Sequence, residues 1–155
     1  MTTTTETTTQ TVRLAIRATP DQVWQALTDG SVTPAYYVGF RAHFGDLAPG
    51  SAYSYTAGGG DMITGTVLES ETGRRLATTF NGHWDPAVAA LPESVVTFSI
   101  TDPDMPMPGV TILSCVHEGL PATETARHLE TGWVSILSGL KTLLETGTPL
   151  VGPAS

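Results

Sequence analysis

The stretch 123–147, TETARHLETGWVSILSGLKTLLETG, decides how this chain can fold. Leu129, Trp133, Ile136, Leu137, Leu140, Leu143 and Leu144 recur at three- and four-residue steps, the period of one broad apolar helix face. Gly147 closes the run and Pro149 bars its continuation. The spacing predicts a helix from Thr123 to Glu145, about 35 Å long at about 1.5 Å per residue. Gly132 and Gly139 interrupt it, each costing roughly 1 kcal/mol of helix propensity relative to alanine. Such a cost suits a helix that must lie close against something, or leave space beside it.

Outward from that helix the pattern changes. Between Gly39 and His117 short β-type runs are separated by Gly, Pro and Asp. They are Phe40–Phe44, Ser51–Thr56, Met62–Glu69, Leu76–Phe80, Ser94–Thr101 and Val110–His117. Tyr53 and Tyr55 share a face, as do Val96, Phe98 and Ile100, and as do Leu113, Cys115 and His117. Asn81 to Glu93 reads as a loop, and Asp102 to Gly109, with three prolines, as a hairpin connection. Consecutive strands with tight turns imply an antiparallel meander. Further out, Val12, Leu14 and Ile16 alternate with Arg13, Ala15 and Arg17 as one more half-buried strand. Thr19-Pro20-Asp21 then opens a short helix with Val23, Trp24 and Leu27 on its apolar stripe, ended by Asp29-Gly30. A second helical piece spans Ser31 to Tyr37. Residues 1–10, almost pure threonine, are expected to be a disordered tail, residues 11–147 one domain, and residues 148–155 a C-terminal tail.

Composition narrows the partners. The 155 residues carry seven Lys+Arg against fifteen Asp+Glu, a net charge of −8, so no basic face is available for nucleic acid or anionic membrane. No apolar run approaches a membrane span and the N-terminus lacks a secretory pattern, so the expected location is the cytoplasm. The single cysteine, Cys115, has apolar neighbours and reads as a buried, inert thiol. His43, His83, His117 and His128 lack metal-ligand spacing, so no metal is expected. No phosphate loop or dinucleotide fingerprint is present, and no cofactor is expected.

The layout that follows is α+β: a curved antiparallel sheet of about seven strands wrapped around a long C-terminal helix, with two short helices after the first strand. Five segments carry a resemblance. They are Pro20–Asp29 (PDQVWQALTD), Gly65–Glu69 (GTVLE) with Arg75-Leu76, and Ser94–Ile100. Next come Thr111, Leu113, His117 and Gly119, and finally Gly132-Trp133 through Leu137 to Gly147. In this order they resemble the START-related helix-grip (SRPBCC) superfamily, and within it the group named after the C-terminal domain of the Hsp90 ATPase activator. The resemblance covers Val12 to Gly147 and implies a sheet gripping the last helix over an internal cavity. It also implies a choice of roles, since such relatives bind lipids, hormones or polyketides, act as cyclases and aromatases, or assist a chaperone.

Candidate cavity residues are Tyr36, Tyr37, Phe40, Tyr53, Tyr55, Phe80, Trp84, Trp133 and Leu137, which could equally be plain core. His117 should face inward, where it could bond a ligand, act as an acid/base, or simply satisfy a structural hydrogen bond. His83 and Asp85 could form an acid/base pair at the cavity mouth; alternatively, Trp84 stacks on a rim and Asp85 caps a turn before Pro86. The expected function is binding of a small hydrophobic molecule by a monomer or homodimer. A cyclase- or isomerase-like enzyme using His117, or His83 with Asp85, is the alternative, and a co-chaperone or protein-interaction module the third reading.

Overall fold

Alternating β-branched and aromatic residues produce seven strands. The structure, a computed structural model that describes residues 7–151, pairs them all in one antiparallel sheet. The strands are β1 (Thr7–Ile16), β2 (Arg41–His43), β3 (Ala52–Ala57), β4 (Gly60–Glu71), β5 (Arg75–Gly82), β6 (Ser94–Thr101) and β7 (Thr111–Pro121). Their spatial order is β1-β7-β6-β5-β4-β3-β2, so six consecutive strands form the expected meander and the first closes against the last. Register shifts between β1 and β7, between β3 and β4, and between β4 and β5 add bulges, which bend a sheet and raise its twist.

The helices are α1 (Pro20–Thr28), α2 (Pro86–Ala89) and α3 (Glu124–Thr146), with a 3-10 turn at Thr33–Ala35 in place of the longer second helical piece. At the start of α1, Thr19 and Gln22 cap each other: the Gln22 backbone N–H donates to Thr19 Oγ1, and the Thr19 N–H donates to Gln22 Oε1. Thr123 caps α3, and Gly147, in the left-handed region that glycine tolerates, ends it with an N–H donated to the Leu143 carbonyl. Ile63, Val67, Leu76, Val96, Leu113, Leu137 and Leu140 form the centre of the core between sheet and α3.

β4, β5 and β7 run past their expected ends, to Glu71, Gly82 and Pro121, and two segments depart further from the sequence reading. β1 begins at Thr7, so part of the threonine-rich stretch is strand: Thr7 and Thr8 face Pro121 and Leu120 across the ladder, and the Gln10 side-chain amide donates to the Ala126 carbonyl. Threonine is β-branched and suits a paired strand, a preference that low complexity conceals. Residues 1–6 and 152–155 of the expected tails lie outside the described residues. The loop from Asn81 to Glu93 also contains α2, whose four residues are too few for a periodic signal.

Candidate functional site

The N-terminal half of α3 does not lie flush on the sheet. Between them opens a cavity of about 510 Å³. Leu129, Gly132, Trp133 and Ile136 of α3 form one wall; Ile63 of β4 and Phe80 of β5 form the opposite one. Tyr37, Val38 and Phe40 close a third side, and Trp84, Asp85, Ala87 and Val88 the fourth. Gly132 opens the space: a Cβ placed there would meet nothing within 4 Å. Gly139, two turns on, does the opposite, since its Cβ would lie 3.4 Å from that of Tyr36.

The fourth wall is built locally. At Gly82 a Cβ would come within 2.5 Å of Val88 and 2.7 Å of the Trp84 ring, so the missing side chain is what lets both fold back over the end of β5. Asp85 Oδ1 accepts the Ala87 N–H at 2.8 Å and caps α2, with Pro86 at its first position. Trp84, 39% exposed, sets its ring 6.1 Å from Phe40 and 6.2 Å from Phe80. It is a rim residue.

His117 lies beneath this wall, fully buried on β7. The Trp133 Nε1–H donates to His117 Nδ1 at 3.0 Å. An indole nitrogen can only donate, so Nδ1 must be the bare nitrogen and Nε2 must carry the proton. That proton points at Ser94 Oγ, 2.7 Å away, and Ser94 in turn reaches the Phe80 carbonyl. Burial pushes the imidazole down to about 4, so the ring is neutral at physiological pH. Both nitrogens are occupied, and His117 joins α3 to β6 and β7. It does not line the cavity.

The remaining candidates divide. Tyr37, Phe40, Phe80, Trp84 and Trp133 line the cavity. Leu137 is core, and Tyr36 donates its hydroxyl to the Ala26 carbonyl beside a second groove. Tyr53, bonded to the Thr79 carbonyl, and Tyr55 line a small void that adjoins the cavity. His83 Nε2 bonds Thr64 Oγ1 at 2.7 Å while Asp85 caps α2, so of the two readings of this loop the structure shows the turn cap and not an acid/base pair. Sequence reasoning did not single out Val38, Ile63, Val88, Thr125, His128 or Leu129 as lining residues. Leu129 had a usable signal: it stands on the helix stripe one turn before Trp133. Besides the phenol of Tyr37, Asp85 and His128 are the ionisable side chains of the lining. His128 stands 3.9 Å from Glu124. Among the described residues no group of three or more His, Cys, Asp or Glu gathers as for a metal, and no helix is long and apolar enough to cross a membrane.

A curved antiparallel sheet gripping a long terminal helix, with an apolar cavity under that helix, defines the helix-grip class. Residues 17–145 match the family model described as Activator of Hsp90 ATPase homolog 1-like protein, and the chain belongs to that family. No curated protein matches the chain in sequence. Among solved structures, protein MLL2253 from Mesorhizobium loti is 27% identical with a TM-score of 0.71, the match covering 89% of this chain and 97% of that one. DynU16, a protein of the dynemicin biosynthetic locus, is 23% identical with a TM-score of 0.70, covering 91% of this chain and 48% of that one. The Aha1 dimer from Colwellia psychrerythraea is 20% identical with a TM-score of 0.69, covering 90% and 98%.

Proposed function

We propose that this protein binds a small apolar molecule in the cavity under α3, as a carrier or sensor in the cytoplasm. The single observation that carries this is the cavity itself: about 510 Å³, walled chiefly by aromatic and aliphatic side chains, within the usual size range of ligand pockets. The likeness in fold to DynU16 supports an organic, natural-product-like ligand. The lone buried thiol of Cys115 suits a reducing compartment. Asp85 is engaged in capping α2 and His128 stands beside Glu124, so binding is preferred over turnover.

Protein binding is the second reading, favoured by the family's description and by the Aha1 neighbour. One substitution separates the two. In Gly132→Phe the new ring should occupy the cavity without disturbing the sheet. Titration with the neutral dye Nile red should show saturable binding to the unaltered protein and none to the variant. Equal dye binding by both would remove the cavity as the site. Retained stimulation of an Hsp90-type ATPase by Gly132→Phe would establish the second reading.

A further inference from the structure

Four tyrosines stand in one aromatic cluster between the 3-10 turn and strand β3, and they are not equivalent. Tyr36 donates to the Ala26 carbonyl and Tyr53 to the Thr79 carbonyl. Tyr37 and Tyr55 are each 5% exposed, their rings 4.6 Å apart, and neither hydroxyl has a hydrogen-bond partner among the described residues. A buried phenol ordinarily finds one. Among the described residues the one fully enclosed polar side-chain atom without a partner is Gln10 Oε1, so both phenol oxygens abut space that a water-sized atom can enter. That space is a void of about 10 Å³ that touches Tyr37, Tyr53 and Tyr55. It shares Tyr37, Ile63, Phe80 and Trp133 with the main cavity. Such a volume holds about one oxygen atom.

We infer that this inner end is an oxygen subsite, in which Tyr37 and Tyr55 receive the neutral hydroxyl or carbonyl oxygen that leads a flat apolar ligand into the cavity. The inference rests on the binding reading above and adds the ligand's chemistry to it. Burial holds both phenols well above the ordinary phenol range, so both keep their protons and can donate as well as accept. No lysine or arginine lines the cavity, His128 stands beside Glu124, and the chain carries a net charge of −8, so an ionised carboxylate would find no free cation there. A fatty acid entering head first is therefore the wrong class. A phenol, ketone or alcohol on an aromatic or polycyclic skeleton is the right one.

Three probes of one shape test this: 2-naphthol, naphthalene and 2-naphthoate, each competed against Nile red. The unaltered protein should bind 2-naphthol about tenfold tighter than naphthalene, and 2-naphthoate weakest. In the double variant Tyr37→Phe with Tyr55→Phe, 2-naphthol should bind only within about twofold of naphthalene. Thermal unfolding provides a readout free of ligand. Tyr37→Phe and Tyr55→Phe should leave Tm unchanged or raise it, because they delete hydroxyls without partners, whereas Tyr36→Phe should lower it. A 2-naphthol preference that survives in the double variant overturns the subsite and leaves the binding reading intact. So does a loss of Tm in Tyr37→Phe as large as in Tyr36→Phe. Failure of Nile red and all three probes to bind the unaltered protein overturns the binding reading, and the subsite with it.

Discussion

Gly132 and Gly139 stand seven residues apart on nearly one face of the same helix, yet α3 is held in opposite ways at the two positions. At Gly139 the missing side chain admits the backbone of Tyr36 to within packing distance. The helix end beyond it is tied down further: Lys141 donates to the Ala15 carbonyl, and Glu145 accepts from both Lys141 and the Arg17 N–H. Those hydrogen bonds hold the Glu145 carboxyl below its ordinary range. At Gly132 nothing approaches, and the adjacent Trp133 is held instead by its bond to His117. One end is fixed by close packing, the other by hydrogen bonds around a space. A helix can thus border a cavity without losing its position, provided a polar joint replaces the missing contacts.

The contrast can be broken at the joint first. His117→Ala strands the Trp133 indole N–H and the Ser94 hydroxyl and leaves a hole in the core. It should cost about 4 kcal/mol in urea unfolding. Acid should act on the same joint. An imidazole depressed to about 4 when folded, against an ordinary 6.5, makes the unfolded chain bind the extra proton between those values. The contribution is fully present above pH 6.5 and is lost as pH falls towards 4, about 3 kcal/mol in all. Urea midpoints measured across that window should drop more steeply for the unaltered protein than for His117→Gln, which cannot titrate. Parallel curves would show that the joint is not the acid-sensitive element.

The packed end should respond to size. Gly139→Val drives a branched side chain against Tyr36, and calorimetry should register a loss of about 2 kcal/mol from overpacking. Gly132→Ala should do the reverse and stabilise by about 1 kcal/mol, since it gains helix propensity and meets no neighbour. If both glycine variants moved stability in the same direction, the distinction between the two ends would fail.

The same pair of glycines marks how far the sequence could be read. Their propensity cost signalled that α3 had an unusual neighbour or an unusual gap, but not which residue faced which. That depended on Tyr36 and Tyr37 arriving from a segment about a hundred positions earlier. His117 was legible as an inward residue from the alternation of β7. Its partners were not, because Ser94 lies on another strand and Trp133 on the helix. The cap made by Asp85 before Pro86 was legible as one of two local readings, whereas the partner of His83 was not, because Thr64 lies on another strand.

By itself, then, the sequence determined what repeats at a local period. The 3.6-residue stripe of α3, the two-residue alternation of the strands, the cap at Thr19 and the turn residues all act between near neighbours, and their order along the chain carried the family resemblance. Only the tertiary structure decided where space is left, which nitrogen of His117 holds the proton and which tyrosines lack a partner. Each of those depends on atoms from three or more distant segments meeting to within a few tenths of an ångström. Periodicity places side chains on faces, whereas cavities and hydrogen bonds are set by how the faces close.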